Sequence, residues 1–187
     1  MNRREAISAV AYLLGGTVVG SSVFLSGCAS PEKKVTLDFS QDNIAFLDEV
    51  ADTIIPTTNT PGAKAANVGQ FMTVMVKDCY EEKNQKIFLE GFSKLNKAAD
   101  DKFKKDFMEL DAAQKKELLT QLDQEQREYM KKKSKDDPSH YFRMMKELTL
   151  LGYFTSEVGA TQALRYIETP GKFDPCVPYK KGDKAWA

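Results

Sequence analysis

Few residues in this chain could carry out chemistry, because the sequence holds one histidine and three cysteines. A lone His140 cannot form a histidine-rich zinc or haem site. Any serine–histidine–acid triad would also need His140, and no nucleophile elbow accompanies the hydroxyls of Thr155-Ser156-Glu157. No phosphate-binding glycine motif follows a strand. The sequence therefore predicts no catalytic residue, metal ligand or cofactor-binding residue, and His140 is interpreted as a polar residue in the first turn of a helix.

Cys28 is the cysteine with a defined chemistry, because it ends the run Leu25-Ser26-Gly27-Cys28. This run resembles a bacterial lipobox, in which the cysteine is lipidated and becomes the first mature residue. A weakly apolar stretch over residues 9–25 precedes it, which is the layout of a secretory signal. A spanning helix needs about 20 predominantly apolar residues, and this stretch is shorter and rich in glycine and serine. We therefore predict a signal peptide over residues 1–27 rather than a transmembrane anchor.

Arg3 and Arg4 stand side by side before the apolar stretch. The pair favours the twin-arginine route, which moves folded proteins. Two arginines also serve the ordinary Sec route, and Glu5-Ala6-Ile7 is not the usual sequel to a twin-arginine pair. A small protein rarely needs folded export for itself, whereas a cofactor-loaded partner does. The signal therefore favours a chain that accompanies a folded partner across the membrane.

Removal of the signal leaves 160 of the 187 residues, which is one domain by length. Arg3, Arg4 and Glu5 leave with it, so the mature chain has 25 basic and 26 acidic side chains. That balance favours neither nucleic acid nor an anionic membrane surface as a partner. A lipid on Cys28 would hold the domain at the membrane through a tether over residues 28–40. We expect an exported protein, lipid-anchored in the bacterial cell envelope and facing the periplasm.

Cys79 and Cys176 remain in the mature chain, 97 positions apart. In an oxidising compartment two cysteines usually pair, so we predict an internal disulfide between them. A bond to a partner subunit and two free thiols are the alternatives.

Apolar residues recur at helical spacing through most of the mature chain. The predicted helices carry the apolar positions within residues 44–55, 68–79, 87–95, 118–122 and 141–154. Ser40 is predicted to cap the first helix and Pro56 to end it. Asp111 and Gln114 predict a capping box, and Asp137-Pro138 predicts the start of the last long helix.

The C-terminal tail has a different character from residue 168 onward, because prolines and glycines there exclude regular structure. It still contains Phe173, Tyr179 and Trp186, so we expect it to lie across a surface. The predicted fold is therefore an all-α, compact single-domain helical bundle over residues 41–187, with an irregular Pro/Gly-rich C-terminal tail.

Two separate segments of the chain together form a recognisable pattern. The first runs from Leu47 to Ala63 and ends in Ile55-Pro56-Thr57-Thr58-Asn59-Thr60-Pro61-Gly62-Ala63. The second is Leu151-Gly152-Tyr153-Phe154-Thr155-Ser156-Glu157-Val158-Gly159-Ala160, followed by Leu164-Arg165-Tyr166 and Cys176-Val177-Pro178. These segments resemble the gluconate 2-dehydrogenase subunit 3 family, which tends to have aspartate at the position of Asn59. The resemblance spans most of residues 42–180.

The resemblance implies a small, helical, non-catalytic subunit. Members of the family accompany a flavin-dependent sugar or polyol dehydrogenase of the glucose-methanol-choline type, often with a cytochrome c subunit. The FAD is then expected in the large partner subunit and no cofactor in this chain, whose role is maturation and twin-arginine export of the complex. The alternatives are a stand-alone envelope lipoprotein that acts as a binding or scaffold module, and an independent oxidoreductase.

The turns of both segments are candidates for contact with the partner, because turns rich in proline and glycine are rigid and exposed. The alternative is that they only end helices and lock the fold. The tail, with Trp186, is a further candidate. The partner-contact candidates are Ile55, Pro56, Thr58, Asn59, Pro61, Gly62, Tyr153, Phe154, Thr155, Glu157 and Trp186.

Overall fold

The computed structural model describes residues 37–169 and 171–186. The predictions for Arg3, Arg4 and Cys28, and for the signal as a whole, lie outside the described residues. Leu37–Ala187 form a compact unit of their own. Leu37 is buried and the Phe39 ring lies 6.5 Å from the Phe92 ring, so packing begins a few residues before the first helix.

Five α-helices make up most of the described residues, in agreement with the predicted all-α fold. They are α1 (Gln41–Ile54), α2 (Val68–Cys79), α3 (Glu82–Phe103), α4 (Ala112–Lys132) and α5 (Tyr141–Thr155). Short 3-10 turns lie at Ala63–Ala66 and Phe107–Glu109, and a π-helical turn lies at Gly159–Ala163. Within the described ranges, β-pairing is limited to one isolated bridge between Arg165 and Trp186. None of the described helices combines the length and the apolar character that a membrane crossing requires.

Side chains cap the first turns of α1, α4 and α5, and the caps of α1 and α4 were predicted. The Ser40 hydroxyl accepts a hydrogen bond from the Asn43 amide at 3.2 Å at the start of α1. Asp111 and Gln114 form the predicted capping box at the start of α4, with bonds of 2.8 and 3.2 Å. Helix α1 ends at Ile54, two residues before Pro56, whose ring cannot continue a helix.

The predicted start of the last long helix at Asp137-Pro138 is wrong. Helix α5 begins at Tyr141, and His140 is its N-cap. The His140 Nδ1 atom accepts a hydrogen bond from the Phe142 amide at 3.2 Å. Asp137 is already engaged, because its carboxylate accepts from the Ser134 amide at 2.8 Å in the preceding turn. His140 is therefore a half-buried cap and not a residue of the first turn.

The core lies where α1 meets the other four helices. Val50 and Ala51 on α1 are fully buried. The Phe46 ring packs 5.2 Å from the rings of both Phe92 on α3 and Phe107 in the second 3-10 turn. Apolar residues at helical spacing supply this core, and their burial is the main driving force for the fold.

Candidate functional site

The two segments that predicted a functional site meet in space. The Tyr153 hydroxyl, at the end of α5, donates a hydrogen bond of 2.5 Å to the carbonyl oxygen of Pro61, 92 residues earlier. The Tyr153 side chain is 1% exposed, so its ring packs in the core while the hydroxyl reaches the loop after α1. We call this hydrogen bond the latch. It joins the carboxyl end of α5 to the loop between α1 and α2.

The loop over residues 55–63, called the Pro-Gly loop below, is held by its own hydrogen bonds. Its base is closed by the Ala63 amide, which donates to the Ile55 carbonyl at 2.9 Å. Inside it, the Gly62 amide donates to the Thr57 hydroxyl at 3.1 Å. The Thr58 amide donates to the carbonyl of Thr60 at 3.0 Å. These bonds fix the loop without regular structure and direct its tip to solvent.

Gly62 is required by close packing and not by an unusual backbone angle. Its φ is −81°, which any residue can adopt. A Cβ atom there would lie 2.7 Å from a carboxylate oxygen of Asp52 and 2.7 Å from the Thr57 amide nitrogen. A side chain would therefore force the loop away from α1, so the Pro-Gly pair has a structural reason to be present.

The chain turns sharply after α5. The Ser156 hydroxyl donates to the Tyr153 carbonyl at 2.7 Å and accepts from the Gly159 amide at 3.0 Å. A Cβ atom on Gly159 would lie only 1.9 Å from the same carbonyl oxygen. Ser156 and Gly159 thus let the chain pass close over the last turn of α5 and lead into the π-helical turn at Gly159–Ala163.

A partly buried ion pair lies beside the base of the Pro-Gly loop. The buried Lys115 of α4 lies 2.8 Å from Glu49 of α1, and Lys64 of the first 3-10 turn lies 3.3 Å from the other oxygen of the same carboxylate. The hydrogen bond from Lys115 lowers the pKa of Glu49; burial opposes the shift and Lys64 adds to it. Glu49 therefore stays ionised and ties α4 and the end of the loop to α1.

Sequence reasoning missed Lys115, because charged residues among lysines and acids were interpreted as solvated surface. A helical signal was nevertheless present. Lys115 lies three, four and seven positions before Leu118, Leu119 and Leu122, on the face of α4 that packs inward.

The structure divides the partner-contact candidates by exposure. Tyr153 and Gly62 are buried, and Ile55 and Pro61 are partly buried, so these residues build the site. Others lie exposed near the latch and remain predictions for contact with a partner. These exposed candidates are Pro56, Thr58, Asn59, Phe154, Thr155 and Glu157. Trp186 is also exposed but packs on Arg165, with the guanidinium carbon 4.6 Å from the ring centre.

An exposed apolar stripe on α5 adjoins the latch. Leu150, Leu151 and Phe154 are exposed on this helix, whereas Gly152 and Tyr153 between them are buried. Of its members only Phe154 was predicted as a contact residue; the stripe as a whole was not, although α5 has apolar residues on more than one face of its helical projection. An apolar stripe beside a rigid loop is typical of a surface that binds another protein.

The predicted disulfide between Cys79 and Cys176 is not formed in this structure. Both are exposed, free thiols. The Cys79 sulfur lies 4.0 Å from the sulfur of Met75, one helical turn earlier on α2. Cys176 lies in the exposed tail, and its amide donates to the Asp174 carboxylate at 3.4 Å. A bond to a partner subunit remains the alternative that these thiols permit.

A cleft of about 430 Å³ lies elsewhere, between α3, α4 and the start of α5. Its lining includes Lys94, Glu125, Tyr129 and His140. Burial lowers the pKa of His140, with Glu125 acting in the opposite direction. Across the described ranges, no group of three or more metal-binding side chains comes together.

Fold and surface together define a small all-α domain in which the latch joins the Pro-Gly loop to the end of α5, beside the exposed apolar stripe. The profile of the family described as gluconate 2-dehydrogenase subunit 3 matches residues 41–171. The chain belongs to this family, as its two motifs predicted. The family name describes a subunit of a dehydrogenase complex. No curated protein and no solved structure matches the chain.

Proposed function

We propose that this chain is a non-catalytic accessory subunit that binds, matures, exports and anchors a dehydrogenase. The catalytic partner would be an FAD-dependent sugar or polyol dehydrogenase of the glucose-methanol-choline type, often accompanied by a cytochrome c subunit. The observation that carries this proposal is the family match over residues 41–171, which includes the whole helical bundle and both joined motifs.

The partner-binding surface would consist of the tip of the Pro-Gly loop and the apolar stripe on α5. Thr58 and Asn59 offer polar groups at the tip, and Leu151 and Phe154 offer apolar area beside it. The latch fixes the two parts relative to each other before any partner arrives. A surface that is already ordered loses less conformational entropy on binding, which favours affinity.

Export and anchoring would use the segment before the bundle. Arg3 and Arg4 would direct the folded pair to the twin-arginine route, and acyl chains on Cys28 would hold it at the membrane, facing the periplasm. FAD would be bound by the large subunit, and this chain would contribute no group to the reaction.

A stand-alone envelope lipoprotein is the second candidate, and the cleft beside His140 favours it. A volume of about 430 Å³ is within the range of small-molecule sites. In this case the chain would bind a small ligand and need no dehydrogenase.

Affinity purification of the full-length chain from membranes separates the two candidates. Recovery of a flavin-containing dehydrogenase in stoichiometric amount supports the accessory role, whereas the chain alone would favour the lipoprotein. Phe154→Asp places a charge in the stripe and should abolish co-purification. Met108→Asp is the matched control, because Met108 is 46% exposed and Phe154 is 41% exposed, but Met108 lies in the second 3-10 turn.

The export role has a separate test. Changing Arg3 and Arg4 to lysine should leave the dehydrogenase inactive or in the cytoplasm, while the adjacent Glu5→Gln should export normally. An active dehydrogenase in the periplasm with the lysine pair contradicts the carrier role. Cys28→Ser should release the complex from the membrane without loss of binding.

A further inference from the structure

One residue, Arg165, holds together the two ends of the C-terminal tail. We call this closure, formed by Arg165 with residues 184–186, the neck. The Arg165 backbone amide donates to the Ala185 carbonyl at 2.8 Å, and its side-chain Nε donates to the Lys184 carbonyl at 2.8 Å. Its guanidinium carbon lies 4.6 Å from the centre of the Trp186 ring, in a cation–π contact. The backbone amide, the Nε atom and the guanidinium face of Arg165 therefore all contact the end of the tail. We call residues 165–186 the tail loop.

The tail loop carries large apolar side chains into solvent. Every residue that the structure describes between 166 and 186 is exposed. Phe173 is 89% exposed and Tyr179 is 74% exposed, and Val177 lies between them. A turn at Lys180–Asp183, closed by hydrogen bonds of 2.9 and 3.0 Å, adds local order. Several large apolar side chains exposed on one short, ordered loop are typical of a surface that another molecule covers.

The charge of the tail loop indicates the chemistry of that partner. Five basic and three acidic side chains lie within residues 165–186, whereas the mature chain as a whole is close to neutral. Asp183 lies 3.9 Å from Arg165, and Asp174 lies 3.8 Å from Lys172. The remaining lysines, Lys180, Lys181 and Lys184, form no ion pair within the described part of the chain. They can therefore meet carboxylates on another molecule.

The tail loop begins at the end of the bundle that carries the Pro-Gly loop. Arg165 follows the π-helical turn at Gly159–Ala163 after one residue, and that turn follows the latch residue Tyr153 closely. A partner seated on the Pro-Gly loop is thus within reach of the tail loop by continuity of the chain.

We propose that Arg165 shapes the tail loop into a preformed docking element, and that this element binds an apolar patch bordered by carboxylates on the dehydrogenase catalytic subunit. The inference rests on the proposed function and deepens it by adding a second contact with defined chemistry. Phe173, Val177 and Tyr179 supply the apolar contact and the lysines supply the charged border. Trp186 acts as a clamp for Arg165 and not as the principal contact.

A protein surface fits the tail loop better than a bilayer. Asp174 lies directly beside Phe173, and Glu168 stands near the neck. With Asp183, these carboxylates leave the tail loop with a net excess of only two basic side chains, short of the clusters of about 4–8 lysines and arginines that select anionic lipid. A protein surface can place its own donors opposite the carboxylates.

The test uses the full-length chain and the flavin-containing dehydrogenase that co-purifies with it. Trp186 is the sole tryptophan, so its fluorescence reports the neck of the tail loop directly. Phe173→Ser with Tyr179→Ser should weaken binding of the dehydrogenase about tenfold or more, as expected for loss of buried aromatic anchors, while Trp186 emission in the free chain stays unchanged. Arg165→Ala should weaken binding and also shift the emission of Trp186 to the red.

Arg143→Ala is the matched control for Arg165→Ala. Arg143 is a similarly exposed arginine that pairs with Glu147 on α5, at 2.6 Å. It should change neither Trp186 emission nor the affinity for the dehydrogenase more than about twofold. Arg165→Lys keeps the charge but loses the planar fork, so its affinity should fall between those of the wild type and Arg165→Ala.

The outcomes separate the two proposals. Wild-type chain that binds no dehydrogenase overturns the proposed function. If the Phe173→Ser, Tyr179→Ser variant binds the dehydrogenase as tightly as the wild type does, the tail-loop proposal alone is overturned. Loss of binding to phosphatidylglycerol vesicles by that variant, with dehydrogenase affinity retained, would assign the tail loop to the membrane and also overturn the proposal.

Discussion

Tyr153→Phe should destabilise the protein although it removes only one oxygen atom. The change deletes the hydroxyl that donates to the Pro61 carbonyl at 2.5 Å, and the ring stays in the core. The carbonyl oxygen of Pro61 then lacks its donor in a partly buried loop. Leaving a buried acceptor unpaired costs about 1–3 kcal/mol, and partial access of water to Pro61 places the expected loss at about 1–2 kcal/mol.

Tyr129→Phe is the matched control within the same chain. The Tyr129 hydroxyl also donates to a proline carbonyl, that of Pro138, at 3.0 Å. Tyr129 is 37% exposed, however, so water can replace the lost donor. This variant should lose less than about 0.5 kcal/mol. Urea denaturation of both variants, with an unchanged m-value as the check for two-state unfolding, measures the difference.

The comparison between the two tyrosines tests the reasoning directly. Equal losses for Tyr153→Phe and Tyr129→Phe would mean that the latch contributes no more than a surface hydrogen bond. The latch also predicts an effect on binding. Affinity of Tyr153→Phe for the dehydrogenase should fall at temperatures where the variant is still folded, because the Pro-Gly loop is no longer fixed against α5.

Three further predictions follow from the contacts of single residues. Gly159→Ala should lower the free energy of unfolding by about 1–3 kcal/mol or more in urea denaturation, because its Cβ would lie 1.9 Å from the Tyr153 carbonyl oxygen; wild-type stability would contradict the close approach. Lys115→Met should cost about 1–3 kcal/mol at neutral pH by leaving Glu49 with one exposed lysine. The cost should shrink in acid, as the pH falls through the lowered pKa of Glu49 and the carboxylate becomes protonated. Burial holds the pKa of His140 below 6.5, so the unfolded state binds more protons and stability should fall as pH drops from about 7 to 5. His140→Asn keeps a capping oxygen and should flatten that pH dependence; an unchanged slope would assign it to other groups.

Sequence reasoning succeeded where a contact is local. Ser40, and Asp111 with Gln114, act within one helical turn, so their spacing alone predicted the caps. The same reasoning did not find the His140 cap, because Asp137-Pro138 carries the commoner signal for a helix start. Only the turn at Ser134 shows that the Asp137 carboxylate is already hydrogen-bonded. The choice between two possible caps is made by the neighbouring turn and not by residue preference.

Contacts between distant segments could not be predicted in this way. The spacing of the two motifs does not reveal that Tyr153 reaches Pro61, because the two residues are 92 positions apart and three helices lie between them. The pairing of Lys115 with Glu49 likewise depends on how α4 crosses α1. Cys79 and Cys176 show the converse, because compartment chemistry predicted a bond that the fold does not form.

The Pro-Gly loop motif combines two kinds of residue that sequence alone cannot separate. Gly62 has no space for a side chain, and Pro61 accepts the latch hydrogen bond, so both are explained by the fold. Thr58 and Asn59 are exposed at the tip, so packing of the fold places little constraint on their side chains. Asparagine in place of aspartate therefore removes a negative charge from the surface offered to a partner and leaves the framework intact. If the proposed complex forms, the partner's surface opposite Asn59 should not need a cation to balance that position.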